Sequence, residues 1–293
     1  MILQLSFVVV VLMVLANGQQ RDTHQVPKWV VNHPKAFYHN GTHHVSNLRR
    51  CKDDEMAPFE EMQHNINLHL TSQDGEGLDA IEHFFWGMVG GVVMELGALD
   101  GKAASVSRDF LPLQWKRVLI DGNPIYIDGL ITESADAFSA VAAVCAQPQF
   151  VHYLPGPYVG GIVEFMTPEF IKKFHKYNVW DRTVPRGNLS SIDWTDVDSD
   201  YLGIREMHCL PLSDILHEAH VRHVNLFVLD TEGSELQILE SINFKIVRFD
   251  VICVETEKTM RPPGYGEQMN ALLESHDYKL VVTDGQEGGR NSW

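Results

Sequence analysis

The chain has 293 residues, 44% of them apolar, and its 39 acids against 23 bases give a formal net charge of -16. That balance excludes binding through a nucleic-acid backbone, which requires clustered Lys and Arg. The length suits one sizeable core, and a single elaborated domain fits it better than two.

Residues 1–18, "MILQLSFVVVVLMVLANG", are uncharged and apolar and end on small residues at Ala16 and Gly18. This is the pattern of a secretory signal cleaved before Gln19. A retained signal anchor competes with it, although the run is shorter than the roughly 20 residues that span a bilayer. Residues 19–71 are rich in His, Asn, Pro and charge and read as a partly irregular extension. Within them "HNGTHH" reads as a solvated loop beside a glycan rather than a metal site. Asn40-Gly41-Thr42 and Asn188-Leu189-Ser190 are sequons that fit a glycosylated secretory protein.

From residue 72 onward the pattern is that of a folded domain. "GLDAIEHFFWGMV" places Leu78, Ile81, Phe84, Phe85 and Met88 on one helical face. Short apolar runs then alternate with helix-length segments: "GGVVMELGA", "KRVLIDGNP", "AFSAVAAVC", "HVNLFVLD", "FDVICVET" and "YKLVVTD". Runs apolar on both faces mark a mostly parallel sheet covered by helices, so the expected fold is α/β and Rossmann-like. "QFVHYLP", "GGIVEFM" and "EMHCLPL" read as shorter, half-exposed strands of an appended β-hairpin. Cys51, Cys145, Cys209 and Cys253 allow three full pairings; Cys145 with Cys209 is favoured, and Cys253 reads as a buried free thiol.

In an open α/β sheet the ligand sits beyond the carboxyl ends of the strands. The residues there are mostly acids: Glu95 and Asp100 at the first turn, Asp121 after the second strand, Asp230 and Glu232 in "LDTEG", and Glu255. The turn Gly97-Ala98-Leu99-Asp100-Gly101 has neither the GxGxxG nor the GxxxxGK[ST] spacing, and acids beside it repel phosphate. They suit a nucleoside that carries ammonium and sulfonium charges, such as S-adenosylmethionine. Asp121, about twenty residues past Gly101, stands where an acid accepts from both ribose hydroxyls. Against this, Gly97 also reads as an ordinary strand-to-helix turn and Asp121 as a turn residue before Asn123-Pro124.

The ordered set "SQD" (72–74), "VVMELGALDG", "WKRVLIDGNP", "GGIVEFM", "HCLPLSDIL", "NLFVLDTEGSELQILESINF", "FDVICVET" and "GRNSW" resembles the FkbM-type methyltransferase family, in its metazoan and algal secretory branch. The resemblance implies a class I methyltransferase fold over residues 72–293 that uses S-adenosylmethionine, usually to methylate a hydroxyl oxygen. Glu95, Gly97, Ala98, Asp100 and Gly101 match its cofactor turn, and Asp121 matches its ribose acid, normally Glu. "KAASVSRDF" departs from the Ser-Asn-Thr pattern common after the turn, and relatives continue past the position of Trp293 into a closing strand. Asp230 is the first candidate for base or acceptor positioning and Glu232 the second. Asp230 or Thr231 also reads as a helix cap, and Glu235 as a first-turn residue. A divalent ion on Asp230, Glu232 and Glu255 has no separate motif behind it, and His208 beside Cys209 reads as structural. The expected function is a secretory O-methyltransferase acting on a glycan or small metabolite. The alternative is an inactive relative serving in binding or trafficking.

Overall fold

The computed structural model describes residues 30–32, 47–73, 75–133, 137–156, 158–175, 203–255, 261–281 and 291–292. The apolar leader, both sequons and "HNGTHH" lie outside them. Strand β1 (Val30–Asn32) precedes β2 (Arg49–Arg50) and helix α1 (Asp53–Leu68). A regular helix thus stands where the composition suggested an irregular extension. Three acids in its first turn, Asp53, Asp54 and Glu55, favour the helix dipole, and Glu55 accepts from the Lys52 N–H. Only Phe59 and Ile66 of α1 are buried, which left no visible apolar period.

Helix α2 (Glu76–Phe84) is shorter than its apolar pattern suggested. Phe85 caps it, Gly87 turns the chain at φ 71, and Met88 joins β3 (Met88–Val89). The sheet then builds through β4 (Val92–Leu96), the short α3 (Val106–Asp109), β5 (Lys116–Asp121), α4 (Ile127–Glu133) and β6 (Ala137–Val141). After Ala142 the chain leaves this sheet for β7 (Ala143–Val144), β8 (Gln149–Leu154), β9 (Gly161–Ile162), α5 (Pro168–Phe174) and β10 (Arg205–Leu210). It returns through α6 (Leu212–Glu218), β11 (His223–Leu229), α7 (Glu235–Glu240), β12 (Arg248–Glu255), α8 (Tyr265–Glu274) and β13 (Asn291–Ser292).

The main sheet has the order β1-β6-β5-β4-β11-β12-β13. Its five central strands are parallel, and β1 and β13 add antiparallel at the edges. The α/β, Rossmann-like expectation therefore holds. The strand order reverses between β4 and β11, which opens a crevice at their carboxyl ends. The appended strands form more than a hairpin: β7, β10, β8 and β9 make a second sheet of four strands. A Cys145–Cys209 disulfide joins the ends of neighbouring β7 and β10, as favoured, with Cα atoms 5.8 Å apart. Residues 278–281 of "YKLVVTD" are not a strand; β13 takes the place beside β12.

Two apolar layers cover the main sheet. On one face Met94, Val118, Ile120, Phe227 and Ile252 pack with Leu216, Ile238 and Met269. On the other, Val93, Leu226, Val228 and Cys253 meet Phe59, Ile81 and Phe85 from α1 and α2, with Phe110 and Trp115. Cys253 is a buried free thiol, as its apolar run implied.

Candidate active site

The backbone of the turn after β4 enters the left-handed region at three positions, with φ 99 at Gly97, 52 at Leu99 and 76 at Gly101, and glycine fills two of them. Gly97 and Ala98 donate their N–H groups to the Ile120 carbonyl, at 3.0 and 3.1 Å. Asp100 Oδ1 accepts from the Lys102 and Ala103 N–H groups, at 2.9 and 2.8 Å, and so closes the turn on itself. Gly129 of α4 lies against this loop, where an added Cβ would be 3.0 Å from Asp100 Cα. Arg117, nearly inaccessible on β5, donates to the Gly101 carbonyl and the Ser107 hydroxyl, fixing the turn from behind.

Glu95 does not face the crevice. Its carboxylate accepts from Ser105 Oγ at 2.8 Å, the Val106 N–H at 2.6 Å, and Ser107 Oγ. It anchors the start of α3 beneath the turn. Asp121 ends β5 beside the turn, where a ribose acid was expected, yet it is 0% exposed. Its Oδ2 accepts from the Leu99 N–H at 2.7 Å and its Oδ1 from the Asn123 N–H at 2.8 Å. Burial pushes its pKa well above the ordinary carboxylate range, and the backbone donors at Asn123, Leu99 and Gly122 only partly oppose that. Tyr126 and the fully buried Tyr153 feel its charge, and burial raises both phenols. Asp121 thus braces the turn to β5.

At the reversal of strand order, the Asp230 N–H donates to the Leu96 carbonyl at 3.1 Å, which seats Asp230 beside Gly97. Glu76 and Asp79 of α2 and Asp230 all act on the buried Cys253 thiol, whose pKa is raised chiefly by burial. Asp230 therefore lies within electrostatic reach of Cys253. Glu232 takes a φ of 49 and turns toward the second sheet, where a Cβ on Gly161 would sit 3.7 Å from its own. The first-turn reading of Glu235 is correct: it is fully buried and accepts from the Thr231 and Gly233 N–H groups, each at 3.1 Å.

Sequence reasoning missed Arg261. It lies among Glu232, Glu235 and Glu255, at 3.9, 3.0 and 2.6 Å. Burial works to lower its basicity, but Glu235, Glu255 and Glu232 together outweigh that and raise it. A divalent ion on Asp230, Glu232 and Glu255 is thus displaced as a reading by a guanidinium already between the two glutamates. Tyr265 donates to the Gly233 carbonyl at 2.8 Å and accepts from the Leu236 N–H, tying α8 to the same loop. The one available signal was arithmetic: glutamates buried after two strands require a nearby cation. His208 packs edge-on to its cross-strand partner Phe150 in the second sheet, with ring centroids 5.2 Å apart, a structural position.

An open sheet with a left-handed glycine turn at its switch point, flanked by carboxylates and lacking a phosphate loop, defines a Rossmann-like protein of the methyltransferase type. A family model, the methyltransferase FkbM domain, matches residues 95–280. The chain belongs to that family, and the family implies a methyl donor. Searches of curated proteins and of solved structures found no match.

Proposed function

We propose that this protein is an S-adenosylmethionine-dependent O-methyltransferase of the secretory pathway that acts on a hydroxyl group of a glycan or small metabolite. The observation that carries the reading is the Gly97–Gly101 turn at the β4/β11 reversal with Asp230 hydrogen-bonded beside it. The donor set suits the cofactor in part. Gly97 and Ala98 leave backbone close to the crevice, and Asp100 supplies negative charge for a cationic nucleoside. Asp121, as placed, supports the turn rather than offering an oxygen to the ribose. When bound, the cofactor supplies an activated methyl group, so the chain's task is to align an acceptor oxygen and receive its proton. Asp230 and Glu232 are the carboxylates disposed for that. The buried Cys145–Cys209 bridge supports an oxidising compartment, in keeping with the apolar leader.

Calorimetric titration of the glycosylated protein with S-adenosylmethionine, followed by transfer of labelled methyl groups to a glycan pool, tests the reading. Binding that Gly97→Val abolishes, with transfer that Asp230→Asn abolishes, supports it. Absence of binding by folded protein overturns it. One observation favours a second reading, a non-catalytic binding or trafficking protein on the same fold: both oxygens of Asp121 are taken by backbone donors. A folded protein that binds no cofactor yet retains a secretory ligand is its expected result.

A further inference from the structure

Arg261 is 9% exposed, and its neighbours give it more than a packing role. Its Nη2 donates to Glu235 Oε1 at 3.0 Å and to Glu255 Oε2 at 2.6 Å, while Nη1 stands 3.9 Å from Glu232 Oε2. The three glutamates are not equivalent. Glu235 is committed to the backbone of its own loop, to Tyr265 and to the guanidinium. Glu255 holds the end of β12 to Arg261. Glu232 meets the guanidinium at ion-pair distance, beyond hydrogen-bond range, and leans toward β9 and Tyr153, whose phenol feels its charge.

The backbone keeps Glu232 there. It occupies the left-handed region, which a side chain-bearing residue adopts only when its surroundings fix it. Gly233 follows at φ 111, and a Cβ there would lie 2.6 Å from the Phe165 carbonyl. The loop is therefore pressed between the second sheet's connection on one side and Arg261 with Tyr265 on the other. A guanidinium presents a permanent charge in a rigid fork, which suits it to serve several carboxylates at once.

We propose that Arg261 is the positioning residue of the acceptor side: its guanidinium is the fixed countercharge that keeps Glu232 ionised and held beside β9, ready to take a proton from a hydroxyl acceptor. The chemical meaning of this role rests on the methyltransferase reading above. In that reaction Glu232 receives the hydroxyl proton while the acceptor oxygen forms its bond to the methyl carbon, and the electron pair of the broken methyl–sulfur bond leaves with the sulfur as a neutral thioether. Without Arg261, Glu232 would face Glu235 and Glu255 with no countercharge among these side chains, and proton binding by Glu232 would rise.

Carbon-13 NMR of the full chain labelled at glutamate carboxyls reads this directly, with the Glu232 signal identified by its loss in Glu232→Gln. In Arg261→Met the Glu232 midpoint should move upward by one pH unit or more, a tenfold rise in proton affinity, and Arg261→Lys should restore part of it. An unmoved midpoint in folded Arg261→Met overturns the proposal. Should Arg261→Met fail to fold, an unmoved midpoint in folded Arg261→Gln does the same. S-adenosylmethionine affinity should stay within about twofold in either variant, while the acid limb of methyl transfer shifts with the Glu232 midpoint. If the wild type binds no S-adenosylmethionine, the methyltransferase reading falls while the NMR result still decides the role of Arg261.

Discussion

The Cys145–Cys209 bridge is the strongest single constraint on the second sheet, and its contribution follows from its span. Its half-cystines are 64 positions apart and both fully buried. Cross-linking a loop of that size removes about 14 cal/mol/K from the unfolded ensemble in the chain-entropy model, or about 4 kcal/mol at 25 °C. Cys145→Ala/Cys209→Ala should lose that much, plus a smaller amount for the packing of the sulfurs. With a urea dependence near 3 kcal/mol/M, as expected at this chain length, the midpoint should fall by a little over 1 M. Urea titrations followed by far-UV circular dichroism measure it, with wild type refolded in reductant as the control that keeps both sulfurs. A loss below about 1 kcal/mol in both samples would refute the reasoning, because it would mean that the unfolded chain already holds these segments together.

His175 ends α5 with 6% exposure, and burial holds its pKa at about 4 against an ordinary 6.5. It must therefore stay neutral in the fold: its stabilising effect is whole above pH 6.5 and drains away as pH falls toward 4, a total of about 3 kcal/mol. Thermal melts of His175→Leu should show a shallower fall across that window. Asp121 carries the opposite sign, since burial raises it: its contribution is largest at and below the ordinary carboxylate range near pH 3.8 and declines as pH rises. Asp121→Asn turns one acceptor into a donor facing a backbone N–H and should cost about 1–3 kcal/mol at pH 7 in urea; no loss would contradict the bracing role. Gly129→Ala gains helix propensity of about 1 kcal/mol but drives a methyl group into Asp100, so a net loss of about 1–2 kcal/mol is expected by the same assay. Tyr265→Phe forfeits the bond to the Gly233 carbonyl and should cost about 1–2 kcal/mol, readable as a lower melting temperature.

The fold was legible because the central strands are apolar on both faces, so "VVMEL", "RVLID", "LFVL" and "VICVE" announce a parallel sheet without help from alternation. Helix α1 was not legible because so little of it is buried. Helix α2 was overrun because Phe85 and Met88 continue an apolar pattern that Gly87 interrupts. In the candidate site, the positions of Asp121 and Asp230 followed from strand ends, but their partners did not. The backbone donors on Asp121 depend on how Leu99 folds back over β5, a tertiary contact across the sheet. Arg261 escaped for a similar reason: no spacing rule links it to Glu232 and Glu235, and only the packing of two neighbouring strand ends brings them together.

The aromatic layer shared by α1, α2 and the main sheet also sets where this protein can be cut. The family match begins at Glu95, inside β4. A chain trimmed to the match would lose Phe59, Ile81 and Phe85, leaving Leu226, Phe110 and Trp115 with water where they now have neighbours. The first three residues of that buried strand would also go, Val92 with its hydrogen bond to Asn225 among them. The unit that evolution labels as the domain is thus smaller than the unit that folds, and recombinant boundaries belong ahead of Arg49, where β2 begins its pairing with β3.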